Sequence, residues 1–325
     1  MKGRIIKGIA GFYYVYVPGK GLYECKAKGI FRKRGMKPLV GDEVTISLIS
    51  EEEKTGNVDE ILPRKNDLIR PAVANVDQAL VVFAAASPTP DRNLLDRFLV
   101  MMEYQDLPSI IVFNKIDLAD PEKLSDLVKT YEKAGYRVLT ASVKERQGLS
   151  EIRKVLEGKT TTVAGPSGVG KSSLINSLQS GIQMETGEIS KKIARGKNTT
   201  RHAQIIPLHL SEAASDQASS DSSDSSDKEV SDQASERTSG ERVETYIVDT
   251  PGFSSVLIPE MKKESLDDCF PEFHDYIPKC RFAECAHIHE PDCAVKNAVE
   301  AGAIARSRYE NYLLLYEEIK NRRSY

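Results

Sequence analysis

The stretch of the sequence that most constrains the fold is a glycine-rich motif at residues 165–172. It reads GPSGVGKS, a glycine, four residues and then Gly-Lys-Ser, which is the pattern of a phosphate-binding P-loop. The run TTVA precedes it as a strand would, and SSLINSL follows it as a helix would. Backbone N–H groups of such a loop surround an anion at a helix start. The predicted phosphate-binding residues are Gly165, Pro166, Ser167, Gly168, Val169, Gly170, Lys171, Ser172 and Ser173.

Two side chains of this motif have the chemistry that phosphoryl transfer needs. The ammonium group of Lys171 would neutralise the β- and γ-phosphates, which makes Lys171 a candidate catalytic residue. The hydroxyl of Ser172 would bind Mg²⁺, the ion that accompanies those phosphates in P-loop proteins. We therefore expect a magnesium-bound nucleotide as the ligand.

A second motif predicts which base the nucleotide carries. Asn114, Lys115 and Asp117 stand in the tetrapeptide NKID, after the apolar run SIIVF. The carboxylate of Asp117 can accept two N–H bonds from guanine, and adenine has no such pair of donors. Lys115 would pack over the ring and Asn114 would brace the loop. The next strand ends at Ala141 and Ser142, where GTP-binding proteins place a backbone N–H against guanine O6. Together these motifs predict GTP and GDP as ligands.

Further positions complete the nucleotide-binding set. Asp249 ends the apolar strand YIVD, so it would hold Mg²⁺ through water, and the N–H of Gly252 would sense the γ-phosphate. Thr199 and Thr200 lie in the polar segment RGKNTTRH, where a switch loop is expected. One of these hydroxyls would close on Mg²⁺ when the γ-phosphate is present, and we assign this role to Thr200.

The order of the motifs is circularly permuted. GTPases of the Ras type have the P-loop first, then the two switches, then the guanine motif. Here the guanine motif comes first, and the P-loop and both switches follow it. A permuted sheet keeps the same contacts if the original chain ends were close enough to be joined. The second switch then leads directly into the C-terminal segment, so the nucleotide state can be transmitted there.

Hydrophobic patterns divide the chain into three parts. Residues 1–68 contain five short alternating runs separated by Gly and Pro, as in a small β-barrel of the oligonucleotide-binding (OB) type. In residues 69–258 apolar runs alternate with helical stretches, which predicts an α/β domain with a mainly parallel sheet. Residues 259–325 are predicted to be helical. Residues 211–241 contain eleven Ser and nine Asp or Glu against two Lys or Arg, and predict a disordered acidic insertion.

The C-terminal segment holds a cluster of metal-binding residue types. Three cysteines and two histidines lie within fourteen residues, and a donor set of three sulfurs and one nitrogen suits a closed, tetrahedral zinc site. The predicted ligands are Cys280, Cys285, His287 and Cys293. His289 is a competing nitrogen ligand that the sequence does not exclude. Zinc binding would supply much of the folding free energy of so small a domain.

The end of the chain, residues 306–323, is rich in tyrosine and arginine. We expect its tyrosines to pack on the zinc domain. We expect its arginines to contact RNA.

Composition excludes several classes of protein. Hydrophobic residues make up 40% and charged residues 29%, as in ordinary globular proteins. No apolar run approaches the ~20 residues of a membrane-spanning helix, so we expect no membrane contact. Five cysteines, an odd number, argue for a cytosolic protein with a local metal site and against a disulfide framework. Residues 1–70 are basic, with fourteen Lys or Arg against nine Asp or Glu.

With these features the chain resembles the RsgA/YjeQ family of ribosome-small-subunit-dependent GTPases, over all residues except 211–241. The resemblance rests on the N-terminal barrel, the permuted motifs GPSGVGKSS, Thr-Thr and DTPGFSS, and the Cys-x4-Cys-x-His-x5-Cys tail. It implies a bacterial cytoplasmic factor, expected to be monomeric, that binds the small ribosomal subunit late in its maturation. Hydrolysis of GTP, stimulated by the subunit, would release the factor. The barrel and the zinc domain would contact rRNA.

Two positions depart from the usual catalytic pattern. Phe253 stands where Ras-type enzymes have the glutamine that orients water, although a hydrophobic residue is usual in the family that the chain resembles. Asn198 stands where that family generally has a histidine before its Thr-Thr pair, with a catalytic role attached to it. An amide can hold a water but cannot take its proton near neutral pH. Positioning can suffice, because charge stabilisation supplies most of the barrier reduction. His202 is the other candidate for this role, and a solvated loop histidine is the alternative.

Three functions remain open at this point. The first is a ribosome-assembly GTPase with weak intrinsic turnover that small subunits stimulate. The second is a GTP-gated RNA-binding module that hydrolyses little, which the lack of a histidine at position 198 makes conceivable. The third is a P-loop ATPase or nucleotide kinase in which NKID is accidental, and Asp117→Asn would then be silent.

Overall fold

The structure is a computed structural model that describes residues 1–33, 35–179, 203–208, 244–249 and 258–322. Its strands are β1 (Lys2–Ile9), β2 (Phe12–Val17), β3 (Gly21–Ala27), β4 (Glu43–Ser50), β5 (Thr55–Ile61), β6 (Gln78–Ala84), β7 (Ser109–Asn114), β8 (Arg137–Ala141), β9 (Thr160–Ala164), β10 (Gln204–Leu208) and β11 (Thr245–Asp249). Its helices are α1 (Gly29–Lys33), α2 (Arg92–Glu103), α3 (Pro121–Lys133), α4 (Leu149–Leu156), α5 (Lys171–Leu178), α6 (Ala294–Glu300) and α7 (Arg306–Asn321).

Strands β1 to β5 form the predicted N-terminal barrel. β1 pairs with β2 and β4, and β5 pairs with β3 and β4, so the sheet curls back on itself. Alternate side chains point inward because successive residues of a strand face opposite sides. Among the fully buried side chains are Ile5, Val15, Tyr23 and Val58. The short helix α1, between β3 and β4, was not predicted.

The barrel is joined to the second part of the chain by a strand pairing. β1 runs antiparallel to β10, with Lys7 opposite Gln204. Next to this pairing the guanidinium of Arg4 lies 4.6 Å from the centre of the Tyr246 ring. In the described part of the chain the strands therefore follow one order, β2-β3-β5-β4-β1-β10-β11-β9-β6-β7-β8. The predicted boundary at residue 68 falls between β5 and β6, and it stays a prediction.

Residues 78–178 form the predicted α/β unit together with strands β10 and β11. β11, β9, β6, β7 and β8 are parallel, and β10 is antiparallel to β11. Every residue of β6 is buried, as expected for a central strand covered on both faces. Helices α2 and α3 pack on one face, and α4 and α5 pack on the other. The prediction of an α/β domain with a mainly parallel sheet is confirmed.

Local signals start two of these helices. The carboxylate of Asp91 caps α2 by accepting hydrogen bonds from two backbone N–H groups, and Asp120 caps α3 in the same way. Pro121 occupies the first turn of α3, where a missing N–H costs nothing. Among the described helices none is long and apolar enough to cross a membrane.

The C-terminal residues 258–322 pack around their own aromatic core. The rings of Phe270, Phe273 and Tyr312 lie 5.1–5.3 Å apart, centre to centre. Regular α-helix in this segment is limited to α6 and α7, and residues 263–279 form short 3₁₀ turns where we expected helix. Pro271 and Pro278 supply one reason, because proline lacks the N–H that a helix interior needs.

Helix α7 holds this C-terminal part against α2. The guanidinium of Arg308 donates to Asp96 of α2 and to both carboxylate oxygens of Glu272, at 2.7–3.0 Å. The side chain of Arg308 is 1% exposed. The expectation that the arginines of this segment contact RNA is therefore wrong for Arg308. The expected packing of the tyrosines is confirmed at Tyr312 and Tyr316, which are both buried.

Candidate functional site

The glycine-rich loop joins β9 to α5, as the sequence predicts. Gly165 and Gly170 have positive φ angles of 135° and 93°. A Cβ atom on Gly165 would lie 2.1 Å from the carbonyl oxygen of Val82, and one on Gly170 would lie 2.5 Å from Nδ2 of Asn114. Only glycine fits these two positions, which lets the loop pass close to β6 and to the guanine motif.

Lys171 and the serines after it begin helix α5. Nζ of Lys171 donates to the carbonyl oxygens of Gly165 and Pro166 at 2.8 and 2.7 Å, so the ammonium group lies within the loop. Ser172 and Ser173 are exposed in the first turn of the helix. A cation inside the loop and an accessible hydroxyl at the helix start suit a magnesium-bound polyphosphate.

The guanine motif is bonded to the glycine-rich loop. Nδ2 of Asn114, at the end of β7, donates to the carbonyl oxygen of Val169 at 2.9 Å. Nζ of Lys115 donates to the carbonyl oxygen of Gly168 at 2.7 Å and to that of Ser87 at 2.8 Å. Asn114 is therefore in direct contact with the glycine-rich loop. Residues that would read the base and residues that would hold the phosphates form one connected unit.

The carboxylate of Asp117 is held in place by Ser142. Oγ of Ser142 donates to Oδ1 of Asp117 at 2.7 Å, and the Ser142 side chain is buried. Nζ of Lys144 lies 3.9 Å from Oδ2 of the same carboxylate. The backbone N–H of Ser142 donates to the carbonyl oxygen of Gln147. Sequence reasoning missed this orienting role of the Ser142 hydroxyl, and a serine 25 positions after the aspartate was the signal available.

Among the predicted switch residues, the structure describes Asp249, which lies at one edge of the sheet. Asp249 is the last residue of β11, which is parallel to β9, so its backbone lies on the edge from which the glycine-rich loop emerges. The start of β10 pairs with the end of β11, with Gln204 opposite Asp249. The other predicted switch and catalytic positions lie outside the described residues: Asn198, Thr199, Thr200, His202, Gly252 and Phe253.

The four predicted metal ligands lie together in the C-terminal part. The ligand atoms of Cys280, Cys285, His287 and Cys293 all lie within 4.8 Å of one another. The two sulfurs of Cys280 and Cys293 are 3.9 Å apart, and Nδ1 of His287 is 3.6 and 3.4 Å from them. A tetrahedral zinc with Zn–S bonds of about 2.3 Å places its sulfurs roughly 3.8 Å apart. His289 is exposed and outside the cluster.

The surroundings of the cluster shift the pKa values of its thiols in different directions. Burial raises the pKa of the Cys280 thiol, but hydrogen bonds from the backbone N–H groups of Val295 and Ala294 contribute to holding that pKa below its ordinary value. Burial raises the pKa of the Cys285 thiol to about 12, so a metal that binds there would displace its proton. The two remaining cysteines, Cys25 and Cys269, are buried core residues.

The loop that carries His287 is held from two sides. The carboxylate of Glu290 accepts hydrogen bonds from the backbone N–H groups of Ala286, Ile288 and His289. From α7, the hydroxyl of Tyr309 donates to the carbonyl oxygen of His287 at 2.7 Å. These contacts fix His287 in a left-handed backbone conformation, with φ of 60°. The residue types and the spacing both fit a structural zinc ion.

Three family models match the chain, and the two GTPase models overlap. The model described as the RsgA N-terminal domain matches residues 2–58, and the model described as RsgA GTPase matches residues 61–217. A model described as a 50S ribosome-binding GTPase matches residues 160–277. The matched regions contain the barrel, the guanine motif and the glycine-rich loop.

Curated relatives match over their full length. The small ribosomal subunit biogenesis GTPase RsgA of Agathobacter rectalis is 55% identical, with 100% of both chains covered. The protein of the same name from Alkaliphilus metalliredigens is 46% identical, with 100% of this chain and 99% of the relative covered.

Two solved structures match almost the whole chain. YjeQ from Thermotoga maritima is 33% identical, has a TM-score of 0.76 and matches over 99% of both chains. YloQ, described as a circularly permuted GTPase, is 34% identical with a TM-score of 0.72, over 100% of this chain and 96% of that one. The predicted circular permutation is confirmed.

Proposed function

This chain belongs to the RsgA GTPase family, and from that membership we propose that it hydrolyses GTP in the biogenesis of the small ribosomal subunit. The observation that carries the proposal is the bonded unit of guanine motif and glycine-rich loop, in which Asn114 and Lys115 contact the loop directly. The relatives that match over full length are named for biogenesis of that subunit. Binding late in maturation, and release by hydrolysis, complete the proposal.

The residues of the unit divide the work of binding. Asp117, oriented by Ser142, would accept the two N–H bonds of guanine, and the stem of Lys115 would cover the ring. Lys171 would exchange its two carbonyl partners for phosphate oxygens. Ser172, Thr200 and, through water, Asp249 would hold Mg²⁺, which neutralises phosphate charge when it is bound.

Hydrolysis needs a water held in line with the γ-phosphate. We assign this positioning to the amide of Asn198 or to the imidazole of His202, with Lys171 and Thr200 stabilising the charge that develops. An amide orients water without accepting its proton. A slow intrinsic reaction that the ribosomal subunit accelerates fits this weak set of groups.

The outer parts of the chain would contact the subunit. The basic first seventy residues suit the phosphate backbone of rRNA, and the C-terminal part would be shaped by one structural zinc bound to Cys280, Cys285, His287 and Cys293. We propose that the protein acts as a monomer in the cytoplasm, where bacterial ribosomal subunits mature.

A second candidate function follows from one residue. Asn198 replaces the histidine expected in this family, so GTP could gate RNA binding with little hydrolysis. If the protein hydrolyses little GTP, Asn198→His should raise its turnover in the presence of the subunit. If the protein is already an active GTPase, the same substitution should change turnover little.

Association with small subunits tests the proposal. We expect the protein to co-sediment with purified small subunits in the presence of a non-hydrolysable GTP analogue and to dissociate with GDP. Asp117→Ala should abolish this nucleotide dependence, because guanine recognition is lost. Equal sedimentation with GDP, with the analogue and with no nucleotide would contradict the proposal.

A further inference from the structure

The imidazole of His287 faces different chemistry at its two nitrogens. Nδ1 lies 3.6 and 3.4 Å from the sulfurs of Cys280 and Cys293. Nε2 lies 3.4 Å from Oδ2 of Asp267. The side chain of His287 is 1% exposed. Its ring is therefore buried between a set of thiols and one carboxylate.

Asp267 is placed for this contact by its own surroundings. It begins a 3₁₀ turn, Asp267–Cys269; the preceding residue Leu266 and the last residue of the turn, Cys269, are both buried in the C-terminal core. The backbone N–H of Asp268 donates to Oδ1 of Asp267 at 3.2 Å, which leaves Oδ2 directed to the histidine. The side chain of Asp267 is 18% exposed, so the contact is largely shielded from water.

The flanks of the ring are apolar. Phe273 meets the ring of His287 edge to face, with centres 6.0 Å apart, and Tyr312 lies 6.4 Å away on a tilted plane. Within the described residues Nε2 forms no standard hydrogen bond, and a buried N–H without a partner is costly. The Asp267 carboxylate, 3.4 Å away, is close enough to remove that cost by a shift of a few tenths of an ångström.

We propose that Asp267 is the positioning residue of the zinc site. Its carboxylate accepts a hydrogen bond from the Nε2–H of His287, which fixes the tautomer that leaves Nδ1 free to bind zinc. The same bond holds the ring plane toward the three sulfurs and increases the basicity of the ligand. This inference rests on the proposed zinc site.

Asp267 also precedes the metal ligands in the sequence. Asp267 lies on the segment between the second switch and the cysteine cluster, whereas all four ligands come later in the sequence. Zinc bound to His287 would therefore link the segment around Asp267 to the cysteine cluster. Loss of the carboxylate should weaken the metal site without removing any ligand.

Zinc affinity measures the effect. We would prepare the full-length protein free of metal, add Zn²⁺, and obtain the dissociation constant by competition with a chelator of known affinity. Asp267→Ala should weaken zinc binding about 10- to 100-fold, as is usual when such an outer partner is lost. Asp268→Ala removes the same charge from an exposed side chain one residue away, and it should leave the affinity unchanged.

A second variant, His287→Cys, distinguishes a positioning role of Asp267 from a general structural role. In His287→Cys the fourth ligand is a thiolate, which has no Nε2–H to orient. If Asp267 acts through the imidazole, Asp267→Ala should change the affinity of this variant by less than about threefold. Co²⁺ in place of zinc provides a spectroscopic check, since its absorption reports the ligand geometry in each variant.

The outcomes are distinct. A 10- to 100-fold loss in the natural background, absent in the His287→Cys background, supports the proposal. Unchanged affinity in Asp267→Ala, or an equal loss in both backgrounds, overturns it. If the unmodified protein binds no zinc at all, the zinc site itself is wrong, and the role of Asp267 falls with it.

Discussion

Removing the guanidinium of Arg308 on helix α7 should strongly destabilise the protein, because this group is buried and paired with two carboxylates. Arg308 donates to Asp96 of α2 and forms a two-point contact with Glu272. All three side chains are nearly inaccessible, with exposures of 1%, 0% and 4%. Arg308→Met keeps much of the side-chain volume and leaves two buried carboxylates without their cation. The perturbation therefore tests charge pairing rather than packing.

The magnitude follows from that burial. Breaking a buried ion pair by removing one partner costs about 3–5 kcal/mol, because the remaining charge stays desolvated. Nδ2 of Asn311 still donates to Asp96 at 2.6 Å, so we expect a loss near the lower end, about 3 kcal/mol. Burial raises the pKa of Asp96, and Arg308 opposes that rise. Without Arg308 the pKa of Asp96 should rise further.

The pH dependence has a definite sign. A carboxyl group whose pKa is higher in the folded state favours folding at low pH, and this contribution is lost as the pH rises through the folded-state pKa. The stability difference between Arg308→Met and the unmodified protein should therefore be largest near neutral pH and shrink as the pH falls.

Urea unfolding followed by circular dichroism, at neutral and at acidic pH, measures both effects. Arg306→Met is the matched control, because Arg306 is exposed on the same helix and its loss should change stability by no more than about 0.5 kcal/mol. A loss below about 1 kcal/mol for Arg308→Met, or a loss that does not change with pH, would refute the reasoning.

Other predictions concern the nucleotide and zinc sites. Asp117→Asn should weaken GTP binding and favour xanthosine triphosphate, whose extra carbonyl can accept from the amide; competition between the two nucleotides measures this, and an unchanged preference for GTP would count against the assignment. Gly165→Ala should weaken GTP binding strongly, since its Cβ would lie 2.1 Å from the Val82 carbonyl oxygen. In Gly168→Ala the Cβ would have no atom within 4 Å, so we expect only backbone strain of about 1–3 kcal/mol from the positive φ. Equal GTP affinities in the two variants would argue against crowding at Gly165. Chelation of zinc should speed hydrogen exchange in α6, and unchanged exchange would mean that the metal does not support that helix.

Local patterns in the sequence were enough to predict much of the fold. Alternating residues located the five barrel strands, and the apolar run before the glycine-rich motif became part of the buried strand β9. The glycine-rich motif predicted its own context, because a P-loop requires a strand before it and a helix after it. The spacing of the cysteines and the histidine identified four metal ligands, and the structure places their ligand atoms within 4.8 Å of one another. In each case the information lies within a few consecutive residues.

Contacts between distant residues could not be predicted in this way. The pairing of Lys7 with Gln204 joins the barrel to the α/β sheet, and no local pattern specifies a partner so far along the chain. Arg308 was assigned to an exposed, RNA-binding role because its buried partner Asp96 lies over two hundred residues away. The contact of Asp267 with His287 was also missed, although only twenty residues separate them, because sequence proximity does not show that two side chains face each other.

Strand β10 connects the α/β sheet to the barrel in the described part of the chain. It pairs with β1 of the barrel and with β11. The segment predicted to be the first switch precedes β10 in sequence, and the predicted second switch begins at Asp249, the last residue of β11. Both predicted switches are therefore next in sequence to paired strands, and one of these strands is bonded to the barrel.

The most direct test of the proposed function is the release of phosphate from GTP, with ATP as the control, in the presence and absence of purified small ribosomal subunits. We predict slow intrinsic hydrolysis of GTP, little hydrolysis of ATP, and stimulation by small subunits of at least roughly tenfold, which corresponds to about 1.4 kcal/mol of added transition-state stabilisation. Binding of GTP without any stimulation would contradict a subunit-activated GTPase and would leave a GTP-gated RNA-binding protein.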